Sequence, residues 1–101
     1  MQFVIIGMDG TDDDAPMRRS SARARHLEGI ERLKENGNAL FGAAILDEDG
    51  VMRGSMLVVE FADRRGLEEY LAREPYMTDN VWQSVDVKPC LVPDMFRVTR
   101  R

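Results

Sequence analysis

A single histidine, His26, is the side chain of this sequence best suited to acid–base chemistry. An unperturbed imidazole titrates near pH 6.5, roughly at neutrality, and therefore exchanges protons readily without much tuning. His26 lies on the apolar side of a predicted helix, four residues before Ile30. This position has two interpretations: a buried histidine that packs against a sheet, or a general acid–base group oriented by a carboxylate. The sequence leaves both open.

Two acidic residues are candidates for orienting this histidine. Asp9 directly follows the first predicted strand, and Glu74 ends the second predicted helix. The acids at 12–14 and 47–49 have the pattern of a loop before a helix and of a hairpin turn, where carboxylates have structural roles. We therefore predict a catalytic pair made of His26 and either Asp9 or Glu74.

Substrate-binding candidates are fewer. Ser55 begins a predicted strand and could bind a substrate oxygen, although an ordinary turn residue is the alternative. Four arginines recur at helical spacing in the first predicted helix, namely Arg18, Arg19, Arg23 and Arg25. We interpret this cluster mainly as a solvated helix face. The alternative is an anion-attracting rim beside a site, with Arg23 as the substrate-binding residue.

Composition argues against several classes of function. A net charge of -4 disfavours general nucleic-acid binding, and no apolar run approaches the roughly 20 residues that span a bilayer. One histidine and one cysteine give no known metal-ligand spacing, and no glycine-rich phosphate loop is present. We predict no metal and no cofactor.

The single cysteine, Cys90, also bears on location. It excludes an internal disulfide and fits a reducing compartment, of which the cytoplasm is the default. Residues 1–7 lack a basic segment before their apolar stretch and therefore predict a first strand rather than a signal peptide.

Hydrophobic periodicity predicts a β-α-β-β-α-β order. The predicted strands cover residues 2–8, about 38–46, 55–61 and 81–88, and the helices about 16–36 and 64–73, with a further helical turn at 76–80. This order is typical of the ferredoxin-like plait, an α+β fold in which both helices cover one face of a four-stranded antiparallel sheet.

The other sheet face is predicted to be apolar as well. Because no residues remain to cover it, a second copy of the chain is the simplest cover, and we predict a homodimer. We also predict one domain over residues 1–101, with a core at 2–89. Its tail, 90–101, carries apolar residues expected to dock on the same subunit or on a neighbour.

Five segments together resemble the YciI-like (YCII-related) domain family, namely residues 3–10, 23–27, 54–61, 74–76 and 81–89. The resemblance covers roughly residues 2–89. It implies a ferredoxin-like dimer of the dimeric α+β barrel superfamily and a histidine–aspartate active site, here His26 and Asp9. One relative in this family removes chloride from an aromatic ring.

The sequence departs from the family pattern in the segments that carry the site. The usual Asp-Pro-Tyr becomes Glu74-Pro75-Tyr76, which keeps an acid one methylene longer and makes Tyr76 a candidate substrate-binding residue. Two hypotheses for function follow. The first is an enzyme of lyase or isomerase type acting on a small, aromatic or enolic molecule. The second is a non-catalytic ligand-binding or accessory dimer.

Overall fold

The computed structural model describes residues 1–97, and residues 98–101 of the predicted tail lie outside them. The elements are β1 (Gln2–Asp9), α1 (Ala15–Glu35), β2 (Ala39–Leu46), β3 (Met52–Glu60), α2 (Arg64–Arg73), α3 (Pro75–Thr78) and β4 (Trp82–Cys90), followed by a 3-10 turn at Asp94–Phe96. This is the predicted order, with the expected extra helical turn present as α3.

The four strands form one antiparallel sheet in the order β2-β3-β1-β4. The prediction of a ferredoxin-like α+β fold is confirmed. Alternate residues of the two central strands point towards α1 and α2, as the two-residue period of a strand requires. The buried core consists of Phe3, Ile5, Ala22, Leu33, Leu57, Val59, Leu67, Tyr70, Tyr76, Val81 and Trp82.

Local sequence signals explain where the helices begin and end. Pro16 lies in the first turn of α1, where its missing N–H costs no hydrogen bond. The helix ends at Asn36-Gly37, and Gly37 adopts a φ of 82°, in the left-handed region that favours glycine. Helix α2 begins after Asp63, whose carboxylate accepts a hydrogen bond from the Gly66 N–H at 3.0 Å.

Two strands are longer than predicted. Strand β3 begins at Met52 rather than at Ser55, because Met52 and Gly54 both pair with the end of β2. Strand β4 continues through Pro89 to Cys90. Proline is tolerated there because β4 is an edge strand and has a neighbour on one side only.

The second face of the sheet is not covered by any element of the described chain. We call it the free face; its apolar residues are Val4, Ile6, Met8, Phe41, Ala43, Ile45, Met56 and Val58. Phe41 is 62% exposed. A sheet with two apolar faces and helices on only one of them is the arrangement that the sequence predicts.

The described part of the tail contacts the sheet through polar groups. The Val92 N–H donates to Oε1 of Gln2 at 2.6 Å, and Arg97 pairs with Glu60 at 2.9 Å. Its large apolar side chains, Leu91, Met95 and Phe96, remain exposed within the subunit. Among residues 1–97, no helix is both long enough and apolar enough to cross a bilayer.

Candidate active site

His26 lies in the middle of α1 and is almost fully buried. Its Nδ1 lies 2.6 Å from Oε1 of Glu74. The imidazole stacks on the Tyr76 ring with a centroid distance of 3.9 Å and an interplanar angle of 7°, and its edge contacts Trp82. A hydrogen bond and two aromatic contacts therefore fix both the position and the rotation of the ring.

Glu74 is fully buried, with 1% of the residue exposed. It stands between α2 and α3 and caps α3, because Oε1 accepts the Tyr76 N–H at 3.1 Å. The Tyr70 hydroxyl donates to Oε2. Burial, followed by the negative charge of Glu74, raises the pKa of Tyr70, so this hydroxyl stays protonated and remains a donor.

This arrangement determines which nitrogen of His26 is free to react. Two donors, the Tyr70 hydroxyl and the Tyr76 N–H, point at the Glu74 carboxylate, so it acts as an acceptor towards the histidine too. We assign the neutral imidazole its proton on Nδ1, which leaves the lone pair on Nε2. Nε2 makes no hydrogen bond within the described chain, and it is the nitrogen available for proton transfer.

A second polar network lies beside the first. Nη1 of Arg19 contacts both Asp9 carboxylate oxygens, at 2.9 and 3.0 Å, and its Nη2 donates to Oγ of Ser55 at 2.9 Å. The indole N–H of Trp82 donates to the same Ser55 oxygen at 3.2 Å. The Arg19 and Asp9 side chains are 7% and 3% exposed, so this ion pair is buried.

The interpretation of the arginine cluster as a solvated face is therefore wrong for Arg19. Helical spacing could not reveal that Arg19 is buried, because its charge is balanced by Asp9 on β1 rather than by a neighbouring residue of α1. Arg18 and Arg25 do make exposed ion pairs, with Asp12 and Asp79 respectively.

The two networks meet at one cleft between α1, β2 and β3, with a volume of about 280 Å³. Its polar lining comes from Arg19, Arg23, His26, Ser55 and Tyr76. Its apolar side chains are Leu27, Ile30, Ala44, Met52 and Leu57, and Gly42 also lines it. Ala43 and Met56 border the cleft as well, although strand alternation assigns their side chains to the free face. A small cleft with a few converging polar groups on an apolar wall has the character of a small-molecule site.

Comparison with known proteins identifies the family. The family model of the YCII-related domain matches residues 1–91, which include both networks and the whole cleft. The chain belongs to the YCII-related family. The resemblance predicted from five sequence segments is thus confirmed. No curated protein matches the chain at a significant level.

Solved structures show the same fold. One is the 5-chloro-2-hydroxyhydroquinone dehydrochlorinase TftG of Burkholderia phenoliruptrix AC1100, in complex with 2,5-dihydroxybenzoquinone. The two sequences are 21% identical, and the structural match covers 94% of this chain and 98% of TftG with a TM-score of 0.79. Another is an antibiotic biosynthesis monooxygenase, 20% identical, covering 92% of this chain and 100% of that chain, with a TM-score of 0.53.

The structure separates the two acids that the sequence left as alternatives in this YCII-related chain. Glu74 lies at His26, and Asp9 lies at Arg19 instead. His26 lines the cleft, whereas Glu74 contacts the imidazole and does not line the cleft. The extra methylene of glutamate therefore still allows the acid to reach the histidine.

The three predicted substrate-binding residues, Ser55, Arg23 and Tyr76, all line the same cleft as His26. Arg23 is exposed, and it stands one helical turn from both Arg19 and His26. Burial raises the pKa of Tyr76, although the neighbouring Arg19 and Arg23 charges oppose this shift.

Sequence reasoning missed three members of the networks: Arg19, Tyr70 and Trp82. Tyr70 had a usable signal, because it precedes Glu74 by four residues and i,i+4 side chains meet on a helix. Arg19 and Trp82 join the site through contacts between distant segments, which no local pattern reveals. Within residues 1–97, no three His, Cys, Asp or Glu side chains gather closely enough to hold a metal ion.

Proposed function

We propose that this YCII-related chain is a small-molecule enzyme of lyase or isomerase type, in which His26 is the general acid–base group. The observation that carries the proposal is the 2.6 Å contact between His26 Nδ1 and a carboxylate that is itself fixed by two further donors. Because the ring is already oriented before a substrate binds, no part of the activation free energy goes into aligning the base.

The proposed step is a proton transfer at Nε2. The lone pair takes a proton from an acidic C–H or O–H group of the substrate, and the imidazole becomes an imidazolium stabilised by Glu74. The electron pair left on the substrate either remains as an enolate or expels a leaving group, which departs with its own electron pair. The imidazolium then returns the proton to a different substrate atom in an isomerase, or to water in a lyase.

The family and the fold support a ring-bearing substrate. TftG is a 5-chloro-2-hydroxyhydroquinone dehydrochlorinase, and its structure holds 2,5-dihydroxybenzoquinone. In the present chain, Ile30 and Leu57 offer apolar walls for a ring, and Ser55 and Arg23 offer polar groups for its substituents. We infer that substituted hydroxyquinols and hydroxyquinones are the first compounds to test.

The test uses a panel of chlorinated hydroxyhydroquinones and hydroxyquinones, together with cyclic 1,3-diketones as simpler compounds with acidic C–H groups. Chloride release measures elimination, and exchange of acidic C–H protons in D₂O, followed by NMR, measures proton transfer without requiring a leaving group. We expect His26→Gln to lower either rate by about 10² to 10⁴, the usual contribution of acid–base catalysis. Glu74→Gln should lower it less, because the ring keeps its stacking on Tyr76.

A rate in His26→Gln equal to that of the natural chain overturns the proposal. Binding of panel compounds with neither elimination nor proton exchange supports the non-catalytic alternative. Circular dichroism on each variant separates loss of catalysis from loss of folding.

The proposed enzyme is a homodimer in the cytoplasm. The apolar free face supports the dimer, because contiguous exposed apolar surface of this kind is uncommon in a monomer. The single cysteine, Cys90, supports a reducing compartment.

A further inference from the structure

The oxygen of Ser55 receives two hydrogen bonds from groups that can only donate. Nη2 of Arg19 lies 2.9 Å from it, and Nε1 of Trp82 lies 3.2 Å from it. A serine hydroxyl has two acceptor lone pairs and one proton, so both of its acceptor positions are occupied. The hydroxyl is consequently left with one possible role, that of a donor.

No group of the described chain accepts the Ser55 proton. Ser55 lines the cleft, and the residue is 4% exposed. With two directions around the oxygen occupied by Arg19 and Trp82, the O–H bond takes a remaining tetrahedral direction. Because a hydroxyl that accepts from a cation becomes a stronger donor, this proton suits an acceptor that carries negative charge.

The charges around the cleft favour the same kind of ligand. Arg23 lines it and makes no ion pair within the described residues, whereas the charge of Arg19 is balanced by Asp9; no acidic side chain of these residues lines the cleft. Arg23 therefore supplies the net positive charge at the cleft, and a ligand that carries negative charge fits it better than a neutral one.

We propose that Ser55 is a fixed hydrogen-bond donor to an oxyanion of the ligand, and that the cleft selects phenolate or enolate forms over their protonated counterparts. Ser55 touches the ligand, whereas Trp82 and Arg19 are positioning residues that hold its hydroxyl rotor in the donating direction. This inference deepens the proposed function and rests on it for the location of the substrate. The oxyanion lies at Ser55 while His26 exchanges the proton from the same cleft.

The test uses 4-nitrophenol, whose ionised form absorbs visible light and whose protonated form does not. Titration of the intact protein below the pH at which the free phenol ionises shows directly whether bound ligand is ionised. We expect the natural chain to bind the phenolate about tenfold to a hundredfold more tightly than the phenol, the range for a hydrogen bond to a charged group.

Three variants locate the effect. Ser55→Ala should abolish most of the preference for phenolate over phenol. Trp82→Phe should reduce it by a smaller factor, because the Ser55 oxygen then accepts one hydrogen bond instead of two. Ser84→Ala is the matched control, since this serine is exposed on β4, outside the cleft. The preference is a ratio measured on one protein sample, so partial unfolding of a variant does not change it.

An equal affinity of the natural chain for both forms, no binding of either form, or an unchanged preference in Ser55→Ala overturns the inference. The proposed function is tested by a different result: it is overturned if His26→Gln turns over substrate as fast as the natural chain. A chain that prefers the phenolate through Ser55 while His26→Gln keeps full activity would retain the oxyanion site and lose the catalytic proposal.

Discussion

The Tyr70 hydroxyl and the His26 imidazole bind different oxygens of one buried carboxylate, that of Glu74. The carboxylate thus connects α2 and α1 through side chains that come from separate elements of the fold. It also accepts the first free N–H of α3 at Tyr76. The orientation of the histidine therefore depends on the packing of all three helices.

Removal of the Tyr70 hydroxyl should destabilise the fold through this carboxylate. Tyr70→Phe leaves one buried carboxylate oxygen without its donor, and we expect the free energy of unfolding in urea to fall by about 2 kcal/mol. Tyr76→Phe is the control, because its hydroxyl makes no hydrogen bond within the described chain, and its effect should remain within about 0.5 kcal/mol. Equal losses in the two variants would show that Glu74 does not need the Tyr70 donor.

The buried ion pair of Arg19 and Asp9 should matter far more than an exposed pair of the same residue types. Asp9→Asn leaves a buried guanidinium without its counter-charge, and we expect a loss of about 3 kcal/mol or more. Asp79→Asn removes the partner of Arg25, a pair whose side chains are 36% and 54% exposed respectively, and should cost at most about 1 kcal/mol. Similar urea midpoints for the two variants would contradict the burial of Arg19.

Alkaline pH should unfold the protein through its two tyrosines. Burial raises the pKa of both Tyr70 and Tyr76, whereas in the unfolded chain tyrosine ionises near its usual pKa of about 10. Above that pH the unfolded chain releases protons that the folded chain keeps, so stability falls as pH rises; below it this contribution is fully present.

Absorbance at the tyrosinate band and circular dichroism, recorded in the same alkaline titration, check this. We expect ionisation to coincide with unfolding, and Tyr70→Phe to remove half of the absorbance change. A chain that ionises both tyrosines at about pH 10 with its circular dichroism unchanged would refute the buried environment.

A charge on the free face should separate the proposed dimer. Val58 pairs with Val4 at the centre of this face, and Val58→Lys would place an ammonium group in an apolar interface, where an unpaired charge is strongly unfavourable. We expect light scattering to give the mass of a dimer for the natural chain and of a monomer for the variant. Val51→Lys, in the β2–β3 turn, is the control and should remain dimeric.

The order and type of the main elements were predictable because the signals are local. Apolar runs predicted β1 to β4, and Asn36-Gly37 predicted the end of α1. Strand limits were less accurate, since Gly54 and Pro89 disfavour strands in isolation. Pairing of Gly54 with Met8 and Ile45, and the edge position of β4, outweigh those tendencies.

The candidate site was predictable in its residue types but not in its pairings. His26 and the two acids could be named from the sequence, yet the choice between Asp9 and Glu74 depends on where Arg19 points. That choice is made by contacts that join segments 10 and 48 positions apart. Ser55 could likewise be named, but its role as a donor emerges only once Arg19 and Trp82 are seen on its oxygen.

One residue without a side chain makes room for this geometry. Gly7 lies opposite Ser55 on the neighbouring strand, and a Cβ added to it would stand 2.4 Å from the Trp82 indole, closer than real side chains approach. Positions 7 and 82 therefore cannot vary independently. A relative with alanine at position 7 must lose either the indole at position 82 or the hydrogen bond that this indole donates to Ser55. Substitutions at positions 7 and 82 should therefore occur together in diverging sequences.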